Sequence, residues 1–250
     1  MQAIQQRRAK PTTPPGRRIF AIGDIHGRID LLEELLGLIE NHATSDPREA
    51  DTLVFLGDYV DRGPASREVI ERLSRPAPRG FEIVCLKGNH EEMMLQFLAG
   101  EDDPFMWLRN GGVDTLKSYG VEDPSLENYR LSEAETLRIR QALCEAIPGS
   151  HIEFLGCLDL MHIEGDYAMV HAGIKPGVAL ADQDEQDLIW IRGAFLNSHE
   201  DFGKGVIHGH SITVSPTVEE NRIGIDTGAW RTDVLTCLVL DGEQRHFLST

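Results

Sequence analysis

The sequence predicts an α/β fold in which a sheet is covered by helices and its polar loops gather at one end. Two observations carry this. Three apolar runs each end in glycine plus a polar residue, and each is followed by a segment of helical spacing. The runs are almost continuously apolar, as in strands buried on both faces. Ligands of such sheets bind beyond the carboxyl ends of the strands.

The elements follow in order. Arg18 to Gly23 (RIFAIG) reads as a strand ending in Gly-Asp, and Ile29 to Asn41 as an amphipathic helix. Thr52 to Gly57 (TLVFLG) is the second strand, with a helix over Ser66 to Leu73. Phe81 to Gly88 (FEIVCLKG) is the third, with a helix over Glu91 to Leu98. From Gly100 to about Phe154 the pattern becomes mixed, with Asn110-Gly111-Gly112 and a helical stretch from Ser132 to Ala146. Residues 100–154 are read as a mostly helical insertion that caps the site. Asn110 is read there as a turn former, with substrate contact as the alternative. Strands resume at Leu158 to Ile163, Tyr167 to Val170 and Gly205 to Ile207, and Arg222 to Asp226 and Val234 to Leu240 read as antiparallel. Gly165-Asp166 and Asp241-Gly242 supply hairpin turns.

The chain of 250 residues carries 24 Lys and Arg against 41 Asp and Glu, a formal charge of −17. That balance argues against a general nucleic-acid backbone binder and suits a protein that holds cations. No apolar run reaches the roughly 18 residues of a membrane span. Residues 1–17 are polar, basic and proline-bearing without the apolar middle of a signal peptide, so a disordered tail on a cytoplasmic protein is expected, followed by one domain over residues 18–250. The cysteines Cys85, Cys144, Cys157 and Cys237 form no C-x-x-C pair and are expected to be buried, reduced thiols.

The chemistry lies at the strand ends. Three carry Asp24-Ile25-His26-Gly27, Asp58-Tyr59-Val60-Asp61-Arg62-Gly63 and Asn89-His90-Glu91; two later ones carry His171 and His208-Gly209-His210. A lone Asp or His at a strand end is ordinarily a cap or a solvated group, but five such ends in one chain are a different matter. Hard oxygen donors with imidazoles suit a divalent transition metal. Asp24 and His26, two apart, point the same way in extended backbone, and one carboxylate such as Asp58 can bridge two ions.

In order and spacing these blocks resemble the signatures of the phosphoprotein phosphatase branch of the calcineurin-like metallophosphoesterases, nearest to compact bacterial and phage serine/threonine phosphatases. The resemblance implies a β-sandwich of two mixed sheets flanked by helices. It implies two divalent metal ions, manganese being expected and iron, zinc or cobalt compatible. Asp24 and His26 would hold the first, Asp58 would bridge both, and Asn89, His171 and His210 would hold the second. His210 is chosen over His208 because Gly209-His210-Ser211 aligns with the family's Gly-His-Thr and Ile212 breaks the alternative Gly-His-x-His; His208 is then a supporting or core histidine. His90 would be the general acid, oriented by Asp61. Arg62 and Arg192, with Asn89 and His90, would bind the substrate phosphate.

The implied activity is hydrolysis of phosphoserine or phosphothreonine in proteins, or of another phosphate ester, by direct attack of a metal-bridging hydroxide. The alternative is hydrolysis of dinucleoside polyphosphates. A non-catalytic phosphoprotein scaffold would require the loss of at least one of these groups, and every position is filled. Asp226, in Gly224 to Trp230, is read as orienting a ligand, and the acidic stretch Asp182 to Asp187 as a solvated face.

Overall fold

The computed structural model describes residues 10–48, 50–76, 80–101 and 103–250. Its frame is two five-stranded mixed sheets packed face to face. The first has the order β10-β9-β1-β2-β3, with β1 at Arg17–Ile22, β2 at Ala50–Phe55, β3 at Phe81–Cys85, β9 at Thr236–Asp241 and β10 at Gln244–Ser249. The second has the order β4-β5-β6-β8-β7, with β4 at Met161–Glu164, β5 at Tyr167–Val170, β6 at Gly205–His208, β7 at Thr217–Val218 and β8 at Arg222–Gly224.

Alternation along each strand builds the layers. On β1, Ile19 and Ala21 face the second sheet and meet Tyr167, Met169, Ile207 and Ile223. Phe20 and Ile22 face the other way, onto α1 (Ile29–Ser45), α2 (Ser66–Leu73) and α3 (Asn89–Ala99). Period-two alternation between two apolar faces explains why the strands read as unbroken apolar runs. β3 departs from that reading, because it is an edge strand and half-exposed.

A helical stretch follows α3. It comprises α4 (Phe105–Trp107), a π-helical turn over Leu108–Gly112, α5 (Val113–Ser118), a 3-10 turn, α6 (Glu133–Ala146) and α7 (Gly149–Gly156). Ser132 and Glu135 form a capping box at the start of α6. On the outer face of the second sheet, α8 (Glu185–Trp190) and α9 (Gly193–Leu196) pack Leu188, Ile189 and Phe195 on Val170 and Val206. The short α10 (Ala229–Thr232) precedes β9.

Four expectations are corrected. β8 is parallel to β6 and pairs antiparallel only with β7, whereas β9 is antiparallel to β1 and β10 as expected. The strand expected at Leu158 starts at Met161, because Asp159 instead bridges Leu86. Of the expected tail, residues 1–9 lie outside the described residues, but Pro11 to Gly16 form an ordered strap. Thr12 N–H donates to Asp166 Oδ2 (3.1 Å), the Tyr167 hydroxyl to Pro11 O (2.9 Å) and Gly242 N–H to Thr13 Oγ1 (2.8 Å). The two hairpin turns thus satisfy the strap's polar groups. The cysteines are all unpaired, yet only Cys237 is fully buried, and Cys144 and Cys157 are exposed.

The register that carries the site is locked by a buried ion pair. Arg18 on β1 lies opposite Asp51 on β2. Its Nε and Nη2 donate to the two carboxylate oxygens at 2.8 and 2.9 Å, while Nη1 is buried without a partner among the described residues. Removing one member strands a buried charge. Asp51→Ala is therefore expected to cost about 3–5 kcal/mol in urea denaturation, and the double change Arg18→Met with Asp51→Leu much less. Equal losses from the two variants would show that the pair is not what holds this register.

Candidate active site and metal centre

The carboxyl ends of strands from both sheets meet at one place. β1 delivers Asp24 and His26, β2 delivers Asp58, Asp61 and Arg62, and β3 leads into α3, which opens on Asn89 and His90. From the opposite sheet β5 delivers His171 and β6 delivers His210. Apart from Arg62, all of these are buried. The loops are cross-tied. His26 N–H donates to Asp58 O (2.8 Å), Gly27 N–H to Tyr59 O (2.8 Å) and Gly209 N–H to His171 O (2.8 Å). A Cβ on Gly88 would lie 2.2 Å from Asp58 Oδ1, and one on Gly209 would lie 2.1 Å from Asp24 Oδ1. Glycine at these two positions lets backbone approach a carboxylate.

Among the described residues seven non-glycine residues have positive φ, and five of them are His26, Asp58, Asp61, Arg62 and His210. Left-handed backbone is costly for such residues. Its concentration here shows that the surrounding contacts override local preference to aim these side chains.

Two ligand-competent triples result: His26, Asp58 and His90, and Asp58, His171 and His210. Asp58 belongs to both. Its Oδ2 lies 3.5 Å from His26 Nε2 and its Oδ1 lies 3.3 Å from His171 Nε2. The tautomers follow from the outer contacts. His26 Nδ1 faces Val60 O (2.8 Å) and His171 Nδ1 faces Leu56 O (2.8 Å), and a carbonyl only accepts, so both Nδ1 atoms carry the proton. Both Nε2 lone pairs then point inward. His171 Nε2 meets Asn89 Oδ1 at 3.0 Å and His210 Nδ1 at 3.2 Å. With the His210 proton on Nε2, these three atoms are acceptors converging on one point, which suits a cation. His210 Nε2 is also buried without a partner.

Burial separates the histidines by charge. It holds His26 and His171 below the usual imidazole range and, with His171 beside it, lowers His210 to about 2. These three stay neutral, the form in which an imidazole could hold a metal. His90 moves the other way despite its burial, because Asp58 and the Asp61 hydrogen bond favour its charged form. Its Nδ1 donates to Asp61 Oδ2 at 2.7 Å.

Arg62 reaches over both groups, its Nη1 donating to His26 Nε2 (3.0 Å) and its Nη2 lying 3.1 Å from His90 Nε2. Its guanidinium lies 5.3 Å from the Trp230 ring. Arg192 is exposed on the other side, 3.4 Å from Ser211 Oγ beside His210. Asp24 stands outside both triples, although the sequence reading places it with His26. Its carboxylate accepts from His210 N–H at 3.1 and 3.0 Å. Burial and the neighbouring Asp226 push its pKa well up, and burial raises Asp226 itself to about 6. His208 faces away. Its ring is edge-on to Phe195 (5.1 Å) and burial lowers it to about 4. Asn110 donates to Met106 O (2.8 Å) inside the π-helical turn.

The sequence reading gave no role to Glu91. Fully buried, its carboxylate accepts from the amides of Asp58 (2.9 Å), Tyr59 (2.7 Å), Val60 (3.3 Å) and Gly88 (2.9 Å). Burial and Asp58 push it up to about 7 against those donors. A glutamate at the third position of a helix whose cap is Gly88 is the capping-box signal that could have marked it.

The Calcineurin-like phosphoesterase family matches residues 17–220. This chain is a calcineurin-like phosphoesterase. It is 39% identical over 226 residues to serine/threonine-protein phosphatase 2 of Escherichia coli (strain K12), covering 85% of this chain and 88% of that one. It is 26% identical over 224 residues to the asymmetrical bis(5'-nucleosyl)-tetraphosphatase PrpE of Bacillus velezensis, covering 83% and 82%. A crystal structure of a candidate diadenosine tetraphosphatase shares the fold with TM-score 0.62 at 22% identity, covering 97% and 98%. The family is metal-dependent, and the phosphoesterase has donor sets that fit. Among its described residues no helix is long and apolar enough to cross a membrane.

Two outcomes follow for this centre. His210→Ala should lose about half of the metal retained by the parent, whereas His208→Ala should keep its metal; elemental analysis of both variants decides, and the reverse result overturns the assignment. Glu91→Gln puts an amide NH2 where four backbone N–H groups need acceptors. It should cost about 2–4 kcal/mol in denaturant and weaken metal retention, and an unchanged midpoint would remove Glu91 from the scaffold of the site.

Proposed function

We propose that this phosphoesterase is a serine/threonine protein phosphatase holding two divalent cations, manganese by expectation. In this reading Asp24, His26 and Asp58 serve one ion and Asp58, Asn89, His171 and His210 the other, with the helical insertion over residues 100–154 capping the site. The opposed faces of the Asp58 carboxylate support its bridging role. Bound there, the cations polarise phosphoryl oxygens and lower the pKa of the attacking water toward roughly 7. The unpaired cysteines and the charge of −17 support a cytoplasmic protein that engages neither nucleic acid nor membrane.

The observation that carries the reading is the divergence of His90 from the other three histidines. A serine or threonine alkoxide is a poor leaving group and needs a proton as it departs. His90 is the one imidazole of the centre pushed toward its charged form, and Asp61 fixes its ring through Nδ1. Water adds to phosphorus, the phosphorus–oxygen ester bond breaks, the His90 Nε2 proton passes to the leaving oxygen, and the proton shed by the attacking water is released to solvent, from which His90 is reprotonated. The products are the free alcohol and phosphate. Arg62, whose Nη1 rests on the His26 imidazole, has better acceptors in phosphate oxygens, and Arg192 approaches from the opposite rim. Similarity to the E. coli phosphatase along most of both chains supports a protein substrate.

A second reading, hydrolysis of dinucleoside polyphosphates, is favoured by the half-exposed rings of Trp230 over Arg62 and Trp190 beside His210. Either could stack on a base. A phosphoserine peptide panel assayed against diadenosine tetraphosphate with added manganese separates the two, and faster turnover of the dinucleotide would overturn the first.

Exhaustive chelation should abolish activity and manganese should restore it. His90→Asn should slow phosphoserine hydrolysis by roughly 10²–10⁴ but affect p-nitrophenyl phosphate far less, since that phenolate departs without a proton. Equal losses on both substrates would mean that His90 does not act as the acid.

A further inference from the structure

The segment from Trp107 to Thr115 belongs to the helical cap, yet its side chains converge on one carboxylate. Trp107 Nε1–H donates to both oxygens of Asp61, at 3.1 Å each. The Thr115 hydroxyl donates to Asp61 Oδ1 at 2.6 Å, and its oxygen accepts the Asp61 amide at 2.8 Å. Ser66 Oγ accepts the same amide at 3.0 Å. All of these groups are buried. The sequence separations are 46 and 54 residues.

The glycines between them serve the same end. Gly111, at φ +112, lies where a Cβ would come 2.4 Å from Arg62 N, and its carbonyl accepts that amide at 3.4 Å. A Cβ on Gly112 would come 2.6 Å from the Trp107 ring. The π-helical turn over Leu108–Gly112 thus does two things. It brings backbone against Arg62, and it leaves Trp107 and Thr115 both within hydrogen-bond reach of Asp61. Asp61 and Arg62 are both held at positive φ, a conformation that needs such support.

A carboxylate with donors from Trp107, Thr115 and His90 has one orientation left, and that orientation fixes the His90 ring. We propose that Trp107 and Thr115 are positioning residues for proton delivery to the leaving group, acting through Asp61 on His90, so that the helical segment after α3 is part of the catalytic apparatus. This rests on the reading of His90 as the acid. Packing alone does not account for the pattern. Trp107 stacks on Phe97 at 4.7 Å, and phenylalanine would do that equally well without the N–H.

The test uses the full manganese-loaded chain. Trp107→Phe deletes the donor and keeps a ring; Thr115→Val deletes the hydroxyl and keeps the shape; Thr115→Ser restores the hydroxyl. Trp107→Phe and Thr115→Val should each lower kcat on a phosphoserine peptide by about 10- to 150-fold, the worth of a hydrogen bond to a charged group. KM should hold, and p-nitrophenyl phosphate turnover should change less than about 2-fold, because only the poor leaving group needs the proton. Thr115→Ser should recover most of the loss. In an Asp61→Asn background Trp107→Phe should cost nothing further, since residues acting through one group are not additive.

His90→Asn is measured beside them. If it is selective for the peptide while the Trp107 and Thr115 variants slow both substrates alike, or neither, the positioning role is overturned and the acid stands. If His90→Asn is itself unselective, both fall. Should Thr115→Val fail to fold, the downfield proton resonance of His90 Nδ1 in zinc-loaded parent and Trp107→Phe, free of paramagnetic broadening, decides. A shift supports the inference, and an unmoved resonance with unmoved selectivity overturns it.

Discussion

The structure turns on the burial of the Asp58 carboxylate among four imidazoles. A charge so placed is tolerated only when opposite charge and hydrogen bonds compensate for lost water. Here the protein supplies few donors. His90 N–H donates to Oδ1 at 3.1 Å, and the side-chain nitrogens nearby are mostly acceptors turned inward. The fold is thus built around a charge balance that a cation completes. Everything else of consequence lies within one layer of this carboxylate. Glu91 gathers the amides of residues 58 to 60. Gly88 permits contact from α3. The opposing sheet brings up His171 and His210.

Holding such a centre requires rigid walls. Each sheet offers strand ends that cannot shift without slipping a register, and a one-residue slip would reverse every side chain between sandwich core and helix layer. The Arg18–Asp51 pair lies in that register, five residues upstream of the chain's turn into Gly23. The strained backbone at His26, Asp58, Asp61, Arg62 and His210 is the local cost of aiming five side chains at one volume.

Much of this could be read from the chain. The three strand–loop–helix units and their Gly-Asp and Gly-Asn endings are local patterns that placed His26, Asp58 and Asn89, and the later run Tyr167 to Val170 placed His171, at strand ends that do converge. The choice between His208 and His210 needed the resemblance, because two residues of an extended strand end can face one way and only the turn at Gly209 parts them. Other features were hidden for a physical reason. The contacts of Trp107 and Thr115 with Asp61 span a helix, a strand and a second helix, and no spacing rule reports them. The pairing of β8 with β6, the placing of Asp24 against His210 and Asp226, and the docking of Pro11 to Gly16 are likewise properties of the closed tertiary structure. Glu91 was within reach of a local rule, and its backbone role explains what the residue after Asn89-His90 is for.

The place of β1 in its sheet has a consequence for how the molecule comes into being. This strand lies between β2, made soon after it, and β9, made near the end of the chain; Ile22 pairs with Cys237, and Gly23 N–H donates to Thr236 O. Until residue 241 has left the ribosome, one edge of the central strand has no partner, and an open edge invites pairing with other chains. Closing the sheet across so long a stretch is slow relative to local helix formation. The loop bearing Asp24 takes its final course only when β9 docks beside it. A nascent chain therefore holds the residues of the centre long before it holds their arrangement, and hydrolytic competence arrives together with the β9–β10 hairpin.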